Sequence, residues 1–390
     1  MEYRISRRAA LLAPSLTLAI TAKAKELRAA GEDVVGFGAG EPDFDTPQHI
    51  KDAAVQALAD GFTKYTPASG TPELRQAVAE KFATDNELEY DPAQIIVSCG
   101  GKHSCYNVIL AVCQSGDEVI IPAPFWLSYP EMVKLAGATP VILETTDETE
   151  FKMTPDQLRE AINENTRLVI LNSPSNPTGS VYTPEETKAI GDVCVEKGVM
   201  MMSDEIYEKL IYGDTVFKSV ASFSKEHQEH TIIVHGLAKA YSMTGWRIGF
   251  TAAPLPIAKA IGAMQSHSTS NPTSFAQSGA VAALRGPQDH LAEWLGEFSK
   301  RRDYAYGRLN EMPGVSCVNA QGAFYLFPNI SETGMESGEF CEKMLSEQKV
   351  AAVPGTAFGS EGYIRLSYAT SMENIEKGLD RLEGFLKSLK

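Results

Sequence analysis

Short apolar runs rich in β-branched residues alternate along the chain with helical patterns, and this alternation restricts the fold more than any other feature. The runs cover 94–98, 118–122, 167–172, 199–204, 231–236 and 247–251, each bounded by turn residues. Runs apolar on both faces and separated by amphipathic segments are what a largely parallel sheet covered by helices requires. The class expected is therefore α/β, with a mostly parallel central sheet. After the first run, Cys105, Val108, Ile109 and Val112 share one helical face, and Gly116 is placed to end that helix. A second amphipathic stretch carries Leu291, Trp294, Leu295 and Phe298 before the break at Pro313-Gly314. Beyond it, strands are expected over 315–318, 323–327 and 363–368, then a helix with Ile375, Leu379, Leu382 and Leu386 on one face. That is the pattern of a smaller α+β domain.

A length of 390 residues, 43% of them hydrophobic and 22% charged, fits one large globular domain with a smaller companion. Lys+Arg 35 against Asp+Glu 50 leaves a net charge of −15, which repels a phosphate backbone, so nucleic acid is not an expected partner. No run approaches the roughly 20 apolar residues a membrane span needs. Cys99, Cys105, Cys113, Cys194, Cys317 and Cys341 include no Cys-x-x-Cys pair, and a reducing, cytoplasmic setting is expected. Ser6-Arg7-Arg8 before an apolar stretch has the form of a twin-arginine export signal, but Pro14, Ser15 and Thr17 interrupt it.

Three familiar fingerprints fail. In Gly36-Phe-Gly-Ala-Gly40 the third glycine of a dinucleotide loop would fall at Glu41, a carboxylate beside phosphate. Around Gly101-Lys102 the leading glycine of a P-loop would be Ile96, and the residue after the lysine is His103. His227 and His230 stand without a further ligand nearby and read as a solvated turn, so no metal is expected.

Chemistry concentrates in 231–250. An apolar strand delivers Lys239 into a turn of small residues, and Arg247 stands before the next apolar strand. A partly desolvated lysine loses its proton and attacks a carbonyl to form a Schiff base, and an arginine fork holds phosphate with two parallel hydrogen bonds. Taken alone, these two residues read first as a surface lysine and a structural arginine. They are joined by Asn172-Ser-Pro-Ser-Asn176-Pro-Thr-Gly after one buried strand and Ser203-Asp204-Glu-Ile-Tyr207 after the next. Strand C-terminal ends of a parallel sheet open onto one crevice, so Asn176, Asp204, Tyr207 and Lys239 are expected to meet there. The first strand runs into Gly100-Gly101-Lys102 and a helix, whose free N–H groups and dipole suit an anion.

Together these motifs resemble the fold-type-I pyridoxal-phosphate (PLP) aminotransferases, and nearly the whole chain is similar to the bacterial subgroup of class I aspartate aminotransferases. The match includes the Ser-Arg-Arg arm, Ala39-Gly-Glu-Pro-Asp-Phe-Asp-Thr-Pro47, Lys64-Tyr65, Met243-Thr-Gly-Trp-Arg247-Ile-Gly and Gly322-Ala-Phe-Tyr, in order. The resemblance implies pyridoxal 5'-phosphate bound through Lys239, which also shuttles the substrate proton. It implies Asp204 on the pyridine nitrogen, Tyr207 and Asn176 on the phenolic oxygen, and Trp126 stacked on the ring. Gly100, Gly101, Lys102 and Arg247 would seat the phosphate, with Tyr65 contributed by the second subunit of a homodimer with shared sites. Arg365, with the Gly40 backbone, would hold the substrate α-carboxylate, and Lys102, Ser15 and Thr17 would read a second carboxylate. Catalysis would rest on Lys239, Asp204 and Tyr207.

Two departures accompany the match. Ala238 precedes the lysine where many relatives have serine, and Ala13 stands where some have a basic residue. The division expected is an N-terminal arm over 1–14, a large PLP-binding domain over 45–290, and a small domain of 15–44 plus 291–390. The activity implied is ping-pong transfer of the amino group of L-aspartate to 2-oxoglutarate. Prephenate amination, aromatic transamination and β-elimination use the same lysine and are alternatives. A PLP-sensing transcriptional regulator would need a DNA-binding domain, for which the acidic chain shows no sequence.

Overall fold

In the computed structural model, which describes residues 3–12 and 16–389, six of the expected runs become strands of one sheet. β1 (Val35–Gly36) lies outside it. β2 (Ile95–Ser98), β3 (Glu118–Ala123), β4 (Thr139–Glu144), β5 (Thr166–Asn172), β6 (Met200–Asp204), β7 (Thr231–Gly236) and β8 (Gly249–Ala252) are ordered β2-β8-β7-β6-β5-β3-β4. All run in one direction except β8, which is antiparallel to both β2 and β7. Helical crossovers link parallel neighbours, whereas the short chain between β7 and β8 returns directly and so reverses the strand.

β2, β7 and β8 are buried along their whole length, which is why their sequences are apolar without alternation. Ile121, Val169 and Ile233 are each 0% exposed, and burial of such a side chain contributes about 1.5–3 kcal/mol. β4 is the sheet edge and is half exposed, so its run lacked the apolar continuity that marks the others. The covering helices are punctuated by local chemistry. Pro184–Lys197 begins at Thr183, whose hydroxyl accepts from Glu186 N while the Glu186 carboxylate accepts from Thr183 N, and it stops at Gly198 with φ +65°.

The C-terminal part packs around Phe298, Leu309, Phe324, Phe340 and Phe385. Helix Met372–Ser388 inserts Ile375, Leu379, Leu382 and Leu386 into this core, as its spacing predicts. β9 (Tyr325–Leu326), β10 (Val350–Ala351), β11 (Val353–Pro354) and β12 (Ile364–Ser367) complete the strands. The order β11-β12-β9 forms an antiparallel sheet, and β1 pairs in parallel with β10.

Four local expectations are corrected. Over 315–318 there is no strand, only an isolated bridge from Ser316 to Asn329. β9 is shorter than expected because Ala323 turns the chain at φ +56°. Helix Gly101–Val112 ends at an extended Cys113, and Gly116, at φ +96°, belongs to the following turn. His227 is buried in helix Lys225–His230, with Nε2 3.2 Å from Asp192, rather than solvated. Among the described residues no helix is long and apolar enough to cross a membrane.

Candidate active site

β2, β5, β6 and β7 end on the same side of the sheet, and the residues that follow them converge there. Asp204 is the last residue of β6, in register with Asn172 of β5 and Val234 of β7. The residue is 5% exposed. Oδ2 accepts from Tyr129 Oη at 2.7 Å and from Cys105 Sγ at 3.6 Å, and Oδ1 accepts from Ile206 N at 3.3 Å. Burial raises its pKa, and the Tyr129 hydroxyl opposes that rise.

Lys239 follows β7 in the turn to β8 and donates from Nζ to the Gly40 carbonyl. Nζ lies 5.7 Å from the ring centres of both Tyr207 and Phe324. Desolvation, reinforced by the Arg365 cation, lowers its pKa from 10.5 to about 8. A neutral amine is thus accessible near physiological pH. Tyr207 is buried, and its hydroxyl is 2.9 Å from that of Tyr325.

Arg365, in β12, is 2% exposed. Its guanidinium donates to Asn176 Oδ1 and to the Gly38 carbonyl, both at 2.9 Å, while Nε is buried and has no partner among the described residues. The group also sits 4.5 Å over the Tyr325 ring and 5.0 Å over Phe358. Asn176 is itself pinned, its N–H donating to Asn172 Oδ1 at 2.9 Å. A buried cation with an open N–H is equipped for a carboxylate.

Beyond the end of β2, Gly100 adopts φ +92° and begins helix Gly101–Val112. A Cβ at Gly100 would come within 2.5 Å of Arg247 Nη2, so only glycine admits this approach. Arg247 precedes β8 rather than starting it, in the left-handed region at φ +57°, with Nη1 donating to the Thr244 carbonyl at 2.8 Å. A cleft of about 950 Å³ opens here, lined by Cys99, Lys102, His103, Trp126 and Arg247 among others. Lys102 Nζ lies 4.9 Å over the Trp126 ring, and desolvation in the cleft together with Arg247 lowers its pKa.

The structure therefore brings together Asp204, Tyr207, Lys239, Asn176, Arg365 and the Gly40 carbonyl, and sets Gly100, Gly101, Lys102, Trp126 and Arg247 beside them. Tyr65 is 93% exposed and does not line the cleft. Ser15 and Ala13 lie outside the described residues, as does the side chain of Thr17. Three contributors were missed as site residues: Tyr129 and Cys105, which hold Asp204, and Tyr325. The signal for Tyr129 was its place three residues after Trp126, at the start of helix Ser128–Ala136.

The family model for aminotransferase class I and II matches residues 32–382. The chain belongs to that family. This aminotransferase is 51% identical over 390 residues to the aspartate aminotransferase of Geobacillus stearothermophilus, covering 99% of each chain. It is 44% identical over 395 residues to the aspartate/prephenate aminotransferase of Nitrosomonas europaea, covering 98% of this chain and 100% of the other. Among solved structures it resembles Thermus thermophilus aspartate aminotransferase with maleate, with a TM-score of 0.93 and 43% identity over 98% of this chain and 100% of that one.

Proposed function

We propose that this aminotransferase transfers the amino group of L-aspartate to 2-oxoglutarate, giving oxaloacetate and L-glutamate in two half-reactions at one PLP site. The observation that carries the reading is Arg365, a buried cation with an open Nε, set in the same cluster as a lysine whose pKa is lowered to about 8. The residues fit PLP. A buried carboxylate, Asp204, suits a pyridinium nitrogen, and the glycine-lined helix start beside Arg247 suits a phosphate. Bound there, PLP supplies an aldehyde that condenses with amines and a ring that accepts the electron pair left when the substrate α-carbon loses its proton.

The protein's own groups do the rest. Lys239 Nζ, neutral near its lowered pKa, takes the proton from the substrate α-carbon. Asp204, whose burial-driven pKa rise is opposed by Tyr129 and Cys105, holds a proton on the pyridine nitrogen. Tyr207 and Asn176 hold the phenolic oxygen, and Trp126 covers the ring. Gly100, Gly101, Lys102 and Arg247 hold the phosphate, and Tyr65, free on its own chain, joins them from a second copy in a homodimer. Arg365 fixes the α-carboxylate with the help of the Gly40 segment, and Lys102, Ser15 and Thr17 read the distal carboxylate. The arm, large domain and small domain divide as 1–14, 45–290 and 15–44 plus 291–390, and the protein works in the cytoplasm.

Prephenate is a second amino acceptor on this reading, because the Nitrosomonas europaea relative is an aspartate/prephenate aminotransferase. Mixing PLP-loaded protein with L-aspartate and no acceptor tests the proposal. The bound cofactor's near-visible band should vanish, with oxaloacetate released. No reaction with aspartate, alongside reaction with L-phenylalanine or L-alanine, would discard the dicarboxylate assignment.

A further inference from the structure

Between the arginine read as the carboxylate clamp and the tyrosine read as the cofactor's partner stands one residue that neither role uses. Tyr325 is 0% exposed. Its ring lies 4.5 Å beneath the Arg365 guanidinium, and its hydroxyl is 2.9 Å from that of Tyr207. The two tyrosine rings meet edge to face at 5.9 Å, with Phe324 packed against both. Among the described residues neither hydroxyl has a second polar partner, so the two phenols share one hydrogen bond and leave one proton free to point elsewhere.

We propose that Tyr325 is a positioning residue that couples the carboxylate clamp to the cofactor, through its ring on Arg365 and its hydroxyl on Tyr207. This rests on the PLP reading given above. Once Tyr207 donates outward to an anionic phenolic oxygen, its own oxygen must accept, and Tyr325 is the donor in place. A donor two steps back in such a chain polarises the bonds ahead of it and strengthens the last one. Arg365 tunes the first step, because a cation over the ring face stabilises the electron density the ring gains as its O–H polarises, and so makes Tyr325 a stronger donor. A carboxylate seated on Arg365 offsets that charge, weakens donation by Tyr325, and leaves the phenolic oxygen more basic. The charged and titratable groups that face the pair are Arg365 and Glu41 around Tyr325, and Arg365, Asp204 and Lys239, with Nζ 5.7 Å from the ring centre, around Tyr207.

The test is the absorbance of the PLP-loaded protein followed against pH, with and without succinate as a non-reacting dicarboxylate. In Tyr325→Phe, which keeps the ring and removes the hydroxyl, the midpoint should move up on the order of half a pH unit, and the shift caused by succinate should shrink. KM for aspartate should stay within about two-fold while kcat falls about five-fold or more. Tyr325→Leu, which also removes the ring, should raise KM about ten-fold in addition. In a Tyr207→Phe background, Tyr325→Phe should move the midpoint no further, and this cycle gives a reading even where one single variant is unstable. A midpoint and succinate response in Tyr325→Phe equal to those of the parent would overturn the inference alone. A parent protein that gives no band with PLP would instead overturn the functional reading, and the inference with it.

Discussion

Tyr129 donates its hydroxyl to Oδ2 of Asp204 at 2.7 Å, in a place where both side chains are almost wholly buried. Tyr129 lies in the first turn of helix Ser128–Ala136, next to Trp126, and the second donor to that oxygen, Cys105, lies in helix Gly101–Val112, capped by Gly100. The carboxylate is therefore held by the two helices that begin beside Trp126 and just after Gly100. Removing the tyrosine hydroxyl leaves a buried charge short of a donor, which costs about 1.5–3 kcal/mol. Because Tyr129 opposes the rise in the Asp204 pKa, its loss lets that pKa climb further. Tyr129→Phe should weaken PLP binding about ten-fold and move the acid edge of activity to higher pH, with KM for aspartate little changed. Fluorescence titration with PLP and a kcat–pH profile check both.

Lys239 has a pKa of about 8 in the folded chain against 10.5 when exposed. Between these values the unfolded chain binds more protons than the folded one, so stability of the cofactor-free protein rises with pH across that window. Below it, the cost of burying the cation is fully present. Lys239→Met should abolish transamination, and it should raise the melting temperature of the cofactor-free protein at neutral pH by several degrees. That advantage should fade as the pH climbs toward 10.5. Melting curves at a series of pH values decide it, and a constant difference across the series would contradict the assigned cause.

Gly100→Ala introduces a methyl group at φ +92° and within 2.5 Å of Arg247 Nη2. The arginine or the turn must move. PLP affinity should drop about ten-fold or more, while the fold survives because the clash is with a side chain at the cleft mouth. Equilibrium dialysis against PLP, paired with circular dichroism, measures the two effects separately.

Lys102 borders the cleft beside Trp126. Lys102→Ala should lower kcat/KM for aspartate and glutamate about a hundred-fold, and that for monocarboxylic amino acids no more than about five-fold. Equal losses for both classes would remove Lys102 from the substrate code and leave it to the phosphate.

The parts of this site that were legible are those fixed by strand ends. Asp204 and Lys239 follow unbroken apolar runs, and a parallel sheet puts such positions on one crevice whatever the rest of the chain does. Tyr325 was visible only within a motif, because its meaning depends on Tyr207 and Arg365, which reach it from other strands or loops. The open Nε of Arg365 was illegible for the same reason: a lone arginine in a strand reads as structural until its partners are known. Local pattern also misled where the backbone departs from regular angles. Arg247 and Ala323 both take positive φ, and each cut a strand shorter than its apolar run. His227 looked solvated because its neighbours are polar, yet helix Pro184–Lys197 covers it and supplies Asp192.

The reversed strand has a consequence for how this sequence can change. In the parallel strands a cleft residue follows its strand, and the long crossover behind it absorbs added or deleted residues without moving it. β8 runs the other way, so its cleft residue, Arg247, precedes it, and the one connection from β7 carries Lys239 and Arg247 together. That connection is pinned at its neck by the pairing of Gly236 with Gly249. A single inserted residue in 237–248 would displace one cation relative to the other. In this short return the geometry constrains the number of residues as much as their identity.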